Sequence, residues 1–240
     1  MNILVSGVSK GLGLAITEVF LKKGWTVYGI SRTKTNQLNN LINLNQQKLH
    51  WLSYDLSDPE SVRKVIFKDW IGFQTPIHGF VNNAALAYDD IVTNLKIESL
   101  EKMYQVNVFT PMNITKYLIR QMLLHHIQGA IIHVSSISVH TGYKGLSMYA
   151  STKGALEAFS KNIAREWGEL GIRSNCIVAG FMETEMNASL SDDQKKRIYQ
   201  RTSLKQPVDI NSVAETIAFL FSEDAKFITG QNIHVDSGTI

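Results

Sequence analysis

The sequence predicts an α/β fold: a single domain over residues 1–240, with a doubly wound parallel sheet and helices on both faces. Three observations carry this expectation. Short apolar runs recur at residues 3–5, 26–30, 49–53, 77–81, 130–134, 173–178 and 233–235. Stretches of helical length and periodicity separate them, the alternation expected of strand–helix–strand units. The 240 residues, 44% of them hydrophobic, suffice for one large core, and no repeat or linker-like stretch divides them.

Taken in order, the first run passes at Ser6 into Gly7-Val8-Ser9-Lys10-Gly11-Leu12-Gly13 and then into the helical pattern Leu14 to Leu21. Glycines at a strand-to-helix turn let a backbone approach a pyrophosphate, and the helix N-terminus offers N–H groups and a positive dipole end. The second run ends at Ser31 and Arg32. The Asn- and Gln-rich stretch 36–47 carries Leu38, Leu41, Ile42 and Leu44 at helical spacing and reads as a surface helix. Right-handed crossovers then order the strands as a Rossmann-like sheet, whose ligands bind beyond the carboxyl ends of the strands.

Ligand choice turns on the end of the second strand. A carboxylate there would accept from the ribose 2′-OH of NAD, whereas this chain has Ser31 and Arg32, with Lys10 across the glycine turn. Two cations and no carboxylate favour the 2′-phosphate of NADP(H).

Bulk properties narrow the partners. The 24 basic and 21 acidic residues leave a net charge of +3 and are interspersed, so no nucleic-acid partner is expected. No apolar run reaches the length that spans a bilayer, and the N-terminus has no signal-peptide pattern, so no membrane association is expected. The one cysteine, Cys176, lies in an apolar stretch and reads as a buried thiol in a reducing, cytoplasmic setting. His125 and His126, adjacent on a predicted helix, point about 100° apart and do not form a chelating pair; no metal site is expected.

From here the motifs resemble the short-chain dehydrogenase/reductase family over the whole chain. The glycine motif is joined by Asp55-Leu56, by Asn82-Asn83-Ala84-Ala85, by Asn107, and by Ser136 thirteen residues before Tyr149-Ala150-Ser151-Thr152-Lys153. The loop Ala179-Gly180-Phe181-Met182-Glu183-Thr184 follows. Ala85, Ala179 and Ser237 depart from the family pattern; they alter loop geometry and remove no reactive group.

The resemblance implies a catalytic set of Asn107, Ser136, Tyr149 and Lys153. It implies a cofactor site of Gly7, Ser9, Lys10, Gly11, Leu12, Gly13, Ser31, Arg32, Asp55, Leu56, Asn82, Ala84, Tyr149, Lys153, Met182 and Thr184. Tyr149 and Lys153, four apart in a helical stretch, share one face. A free tyrosine titrates near 10, so a proton donor working near neutrality needs its pKa lowered by about 3 units, about 4 kcal/mol, and the Lys153 ammonium acts in that direction. By resemblance Lys153 would also hold the ribose of the nicotinamide half, Ser136 the substrate carbonyl, and Asn107 a water linking Lys153 to solvent.

The expected activity is NADPH-dependent reduction of a small ketone or aldehyde. Alternatives are a 3-oxoacyl-acyl-carrier-protein reductase and a non-enzymatic NADP-sensing or scaffolding module, the latter opposed by the presence of all four catalytic residues. Carrier docking is disfavoured because Ile127 and Leu170 stand where that subfamily places docking arginines. Substrate would be lined by residues 138–147 and by a polar lid at 186–204. Surplus apolar residues, among them Val106, Phe109, Met112, Leu123 and Trp167, predict a homodimer or homotetramer.

Overall fold

A computed structural model describes residues 1–184 and 191–239. The strands are β1 (Asn2–Ser6), β2 (Thr26–Ser31), β3 (Leu49–Ser53), β4 (Gly79–Asn82), β5 (Ala130–Ser136), β6 (Arg173–Ala179) and β7 (Asn232–Val235). They form one parallel sheet in the order β3-β2-β1-β4-β5-β6-β7. The chain reverses its direction of growth between β1 and β4, and the crevice at that switch point is where ligands of such sheets bind. Every expected apolar run lies in or against one of these strands, because a sheet covered on both faces needs near-continuous apolar sequence.

Helices α1 (Gly11–Lys22), α2 (Asn36–Leu44) and α7 (Ile210–Leu220) cover one face, packing Ile16, Phe20, Leu38 and Ile217 on Val5, Val27, Ile132 and Ile177. The other face is covered by a π-helical segment Arg63–Ile71, by α4 (Thr110–Leu124) and by α5 (Ser147–Trp167), which pack Ile66, Phe67, Ile114, Leu118 and Ile163 on Leu4, Phe80 and Ile131. Helix α3 (Ile97–Tyr104) runs into α4 through a π-helical turn, Gln105–Phe109.

Local chemistry sets the ends. Thr35 caps α2 by accepting from the Leu38 N–H at 3.2 Å, and α2 stops at Leu44, short of the expected 47. Helix α4 stops at Leu124, and His126 takes a left-handed φ of 52°, so the two histidines do not share a helix and the spacing argument against chelation does not apply to them. Among the described residues no group of three His, Cys, Asp or Glu is placed to hold a metal, and no helix is long and apolar enough to cross a membrane. Of the lid, residues 186–190 lie outside the described residues; the rest includes α6 (Asp192–Arg201), begun by a reciprocal capping box between Ser191 and Gln194. The apolar surplus is partly absorbed: Ile114, Leu118, Ile119 and Met122 are buried, while Phe109 and Leu124 are 51% and 60% exposed.

Candidate active site

A cleft of about 740 Å³ opens at the carboxyl ends of β1, β2, β4, β5 and β6. It is lined by the glycine turn, by the ends of β2 and β3, by residues 83–87 and Asp89, and by Ser136, Tyr149, Lys153 and the loop after β6. Asn107 and Asn82 are buried behind it.

The glycine turn is dictated by backbone crowding. A Cβ on Gly13 would stand 2.0 Å from the Gly7 carbonyl oxygen, and one on Gly7, at φ +79°, 2.8 Å from Asn83 Nδ2. Ser6 ties this turn to the loop after β4: its hydroxyl accepts from the Asn83 and Ala84 N–H groups, both at 3.1 Å. Asn83 donates back to the Ser6 carbonyl at 3.0 Å.

At the β2 end, Arg32 and Thr33 face the cleft beside Lys10. Ser31 donates to the Thr33 carbonyl at 2.9 Å and accepts from the Trp51 indole at 2.9 Å, so its one hydrogen is already used and it shapes the turn. Asp55 accepts from the Ser57 N–H at 2.9 Å. That bond, aided by the charges of Arg32 and Lys102, holds its carboxyl below the usual range.

The reaction end is built on α5. Lys153, 2% exposed, donates from Nζ to the Val134 carbonyl at 2.7 Å and stands 5.6 Å from the centre of the Tyr149 ring. Burial lowers the Lys153 pKa to about 8. It raises that of Tyr149, with the Asp89 carboxylate adding to the rise. This is opposite to the sequence expectation. The spacing argument placed the two side chains together correctly but left out the desolvation of a phenolate in the cleft wall. Ser136 accepts from the Ser138 N–H at 3.2 Å and hydroxyl at 3.0 Å, which leaves its own O–H to donate.

Two residues take other places. Asn107 is fully buried; its amide accepts from the Leu86 N–H at 2.7 Å and donates to the Leu86 carbonyl at 2.8 Å and to Thr152 Oγ1 at 3.0 Å. Both N–H donors are therefore taken by protein, clamping the loop after β4 to the start of α5. Asn82 turns away from the cleft, its Nδ2 3.3 Å from Nδ1 of fully buried His133. Burial, together with the Lys153 charge, lowers the His133 pKa to about 3.

Sequence reasoning missed Ser6, Thr33 and Asp89 and gave no individual role to Asn83 or Tyr143, all in the cleft wall or bracing it. Asn83 and Tyr143 lay inside segments already singled out, and strand-end position pointed to Thr33; nothing in sequence distinguished Ser6 or Asp89. The loop after β6 is held by the Gly180 N–H donating to the Val235 carbonyl at 2.9 Å, and Tyr199 of α6 donates to the Glu183 carboxylate.

A family model described as enoyl-(acyl carrier protein) reductase matches residues 7–239. The chain is 31% identical over 235 residues to the 3-oxoacyl-[acyl-carrier-protein] reductase FabG of Salmonella typhimurium, covering 98% of this chain and 95% of the relative. It is 31% identical over 237 residues to FabG of Escherichia coli strain K12, with the same coverage. Among solved structures it is similar to a 4-hydroxyisoleucine dehydrogenase complexed with NADH (TM-score 0.91, 25% identity, 99% of this chain and 98% of that one). It is also similar to ElxO with NADP bound (TM-score 0.88, 28% identity, 99% and 98%). With the glycine turn, the buried lysine and the tyrosine brought into one cleft, these similarities establish that the chain belongs to the short-chain dehydrogenase/reductase family of oxidoreductases acting on CH–OH and C=O groups.

Proposed function

We propose that this chain is a single catalytic domain that reduces a small polar ketone or aldehyde with NADPH, Tyr149 giving the proton to the carbonyl oxygen. The observation that carries the reading is the shared cleft: Lys10, Arg32 and Thr33 at one end, Ser136, Tyr149 and Lys153 at the other. The donor set fits the dinucleotide. Arg32 and Lys10 suit the 2′-phosphate, Asp55 and Leu56 the adenine, and the glycine turn with the start of α1 the pyrophosphate. Met182 and Thr184, which line the same cleft, complete the proposed cofactor set.

When bound, NADPH supplies the hydride that reduces the carbonyl carbon. Ser136 donates its free O–H to the carbonyl oxygen and orients it. Tyr149 passes its phenolic proton to that oxygen, and the Lys153 ammonium favours the phenolate left behind. Asn107 keeps the loop after β4 and the start of α5 in register. Asp89, Tyr143, Lys144 and Arg201 make the substrate end polar, which suits a hydroxylated or charged carbonyl compound better than a long acyl chain.

A 3-oxoacyl group on acyl carrier protein is the second reading, favoured by the two FabG relatives. Against it, Leu170, in the turn between α5 and β6, is 52% exposed and offers an acidic carrier no charge. The exposed apolar residues Phe109 and Leu124 support a homodimer or homotetramer.

Steady-state NADPH oxidation against a panel of ketones, sugars and acyl thioesters tests the reading. Turnover of a small polar carbonyl, with less than about 100-fold preference for an acetoacetyl group on the carrier over the same group on a pantetheine analogue, is expected; that ratio is about 2.7 kcal/mol of transition-state binding. A larger preference selects the carrier reading. No turnover of any carbonyl defeats both.

A further inference from the structure

Glu157 has no part in the chemistry above, yet it stands on the same face of α5 as Tyr149 and Lys153, eight and four residues further along respectively. It is 7% exposed. A carboxylate so placed is costly unless donors surround it, and the donors here come from three elements. The Ser135 hydroxyl at the end of β5 donates to Oε1. Nε2 of His140 lies 3.1 Å from Oε1 and 3.0 Å from Oε2. Asn232 Nδ2 of β7 donates to Oε2 at 2.7 Å.

Two of these anchors bracket Ser136, one residue before it and four after. Between them Ser136 caps the short 3₁₀ turn Ile137–Val139, and the N–H groups of His140 and Thr141 return only to the Ile137 carbonyl, at 3.0 and 2.9 Å. The turn's backbone therefore closes on itself, and the His140 side chain ties it to α5. The ring of His140 also lies 4.9 Å from that of His234 on β7.

The geometry points to Glu157 as a positioning residue for Ser136: its carboxylate fixes both flanks of the serine relative to the helix that carries Tyr149 and Lys153. A buried carboxylate is a poor device for stability alone, since well-packed apolar groups of similar volume often do as well. It suits a task of orientation, because each oxygen accepts along defined directions from more than one element.

The inference rests on the proposed reduction for its kinetic meaning, and its test has an arm that needs no turnover. Glu157→Ala, Glu157→Gln and His140→Leu are compared with the native chain by backbone hydrogen exchange, NADPH binding and steady-state reduction of a carbonyl substrate. Expected for Glu157→Ala and His140→Leu is exchange at least about 10-fold faster over residues 137–141 with β1 and α1 unchanged, NADPH affinity within about 2-fold, and kcat reduced at least about 10-fold. Glu157→Gln, which keeps the acceptor for Ser135 and His140, should restore exchange and kcat to within about 3-fold. Unchanged exchange at 137–141 in both disrupting variants overturns the proposal, as does protection lost equally across the chain or no rescue by glutamine. Should the native chain reduce no carbonyl, the functional reading fails while the exchange and binding arms still decide the role of Glu157.

Discussion

At the β2 end of the cleft, Arg32 and Thr33 sit on a turn whose shape is fixed before any ligand arrives, by the bonds of Ser31 to Thr33 and Trp51. At the α5 end the side chains are equally well placed, but their electrostatics are not set for the reaction. Burial holds the phenol of Tyr149 protonated above its ordinary range and weakens Lys153 as a cation, to about 8. On the proposed function, nucleotide selection is thus a property of the protein alone, whereas the acid–base balance at Tyr149 must be brought within reach of neutrality by what binds beside it. A tyrosine held protonated in the free protein also suits the proposed reduction, which needs that proton at the start of each turnover.

The largest effect that distinguishes the two ends should come from Tyr149→Phe. Loss of the proton donor is expected to lower kcat by about 10³-fold or more. The NADPH dissociation constant, measured by fluorescence titration, should stay within about 2-fold; a comparable loss of affinity would merge the two ends into one.

Arg32→Asp probes the opposite end. It replaces a charge-assisted contact with a like charge, so the NADPH dissociation constant should rise about 100-fold, about 2.7 kcal/mol, with little change for NADH. Equal binding of NADH and NADPH by the native chain would remove Arg32 from selection.

Beneath the reaction end, His133 gives a pH test. Its folded pKa, lowered to about 3 from 6.5, means that the unfolded chain binds the extra proton first as pH falls. Stability is therefore present above 6.5 and is lost between 6.5 and about 3. At pH 5 the loss is about 2 kcal/mol relative to neutral pH. Denaturant unfolding of His133→Asn should lack that part of the slope, and an unchanged slope would place the charge change elsewhere. Ser31→Ala should have the smallest effect, within about 3-fold on the NADPH dissociation constant, because its hydrogen is spent on Thr33.

What was legible in the sequence follows the same division. The strands could be read because a doubly covered parallel sheet demands apolar runs, and the cleft because strand ends and glycine turns are local features. Local pattern also placed Arg32, Tyr149 and Lys153. The inward turn of Asn82 toward His133, the saturation of Asn107 by Leu86 and Thr152, and the convergence on Glu157 of Ser135, His140 and Asn232 depend on which elements the fold brings together. The reversed direction of the Tyr149 shift has the same origin. Spacing reports the neighbouring charge, and only burial reports the desolvation that outweighs it.

The central claim is that the free protein keeps Tyr149 protonated and that nucleotide binding brings it into the working range. An ultraviolet difference titration of tyrosinate, taking native protein minus Tyr149→Phe with and without NADP⁺, tests it directly. The account predicts that Tyr149 ionises above its ordinary value of about 10 in the free protein and about 2 units or more lower in the complex. A phenolate already formed below about pH 8 without nucleotide would contradict it.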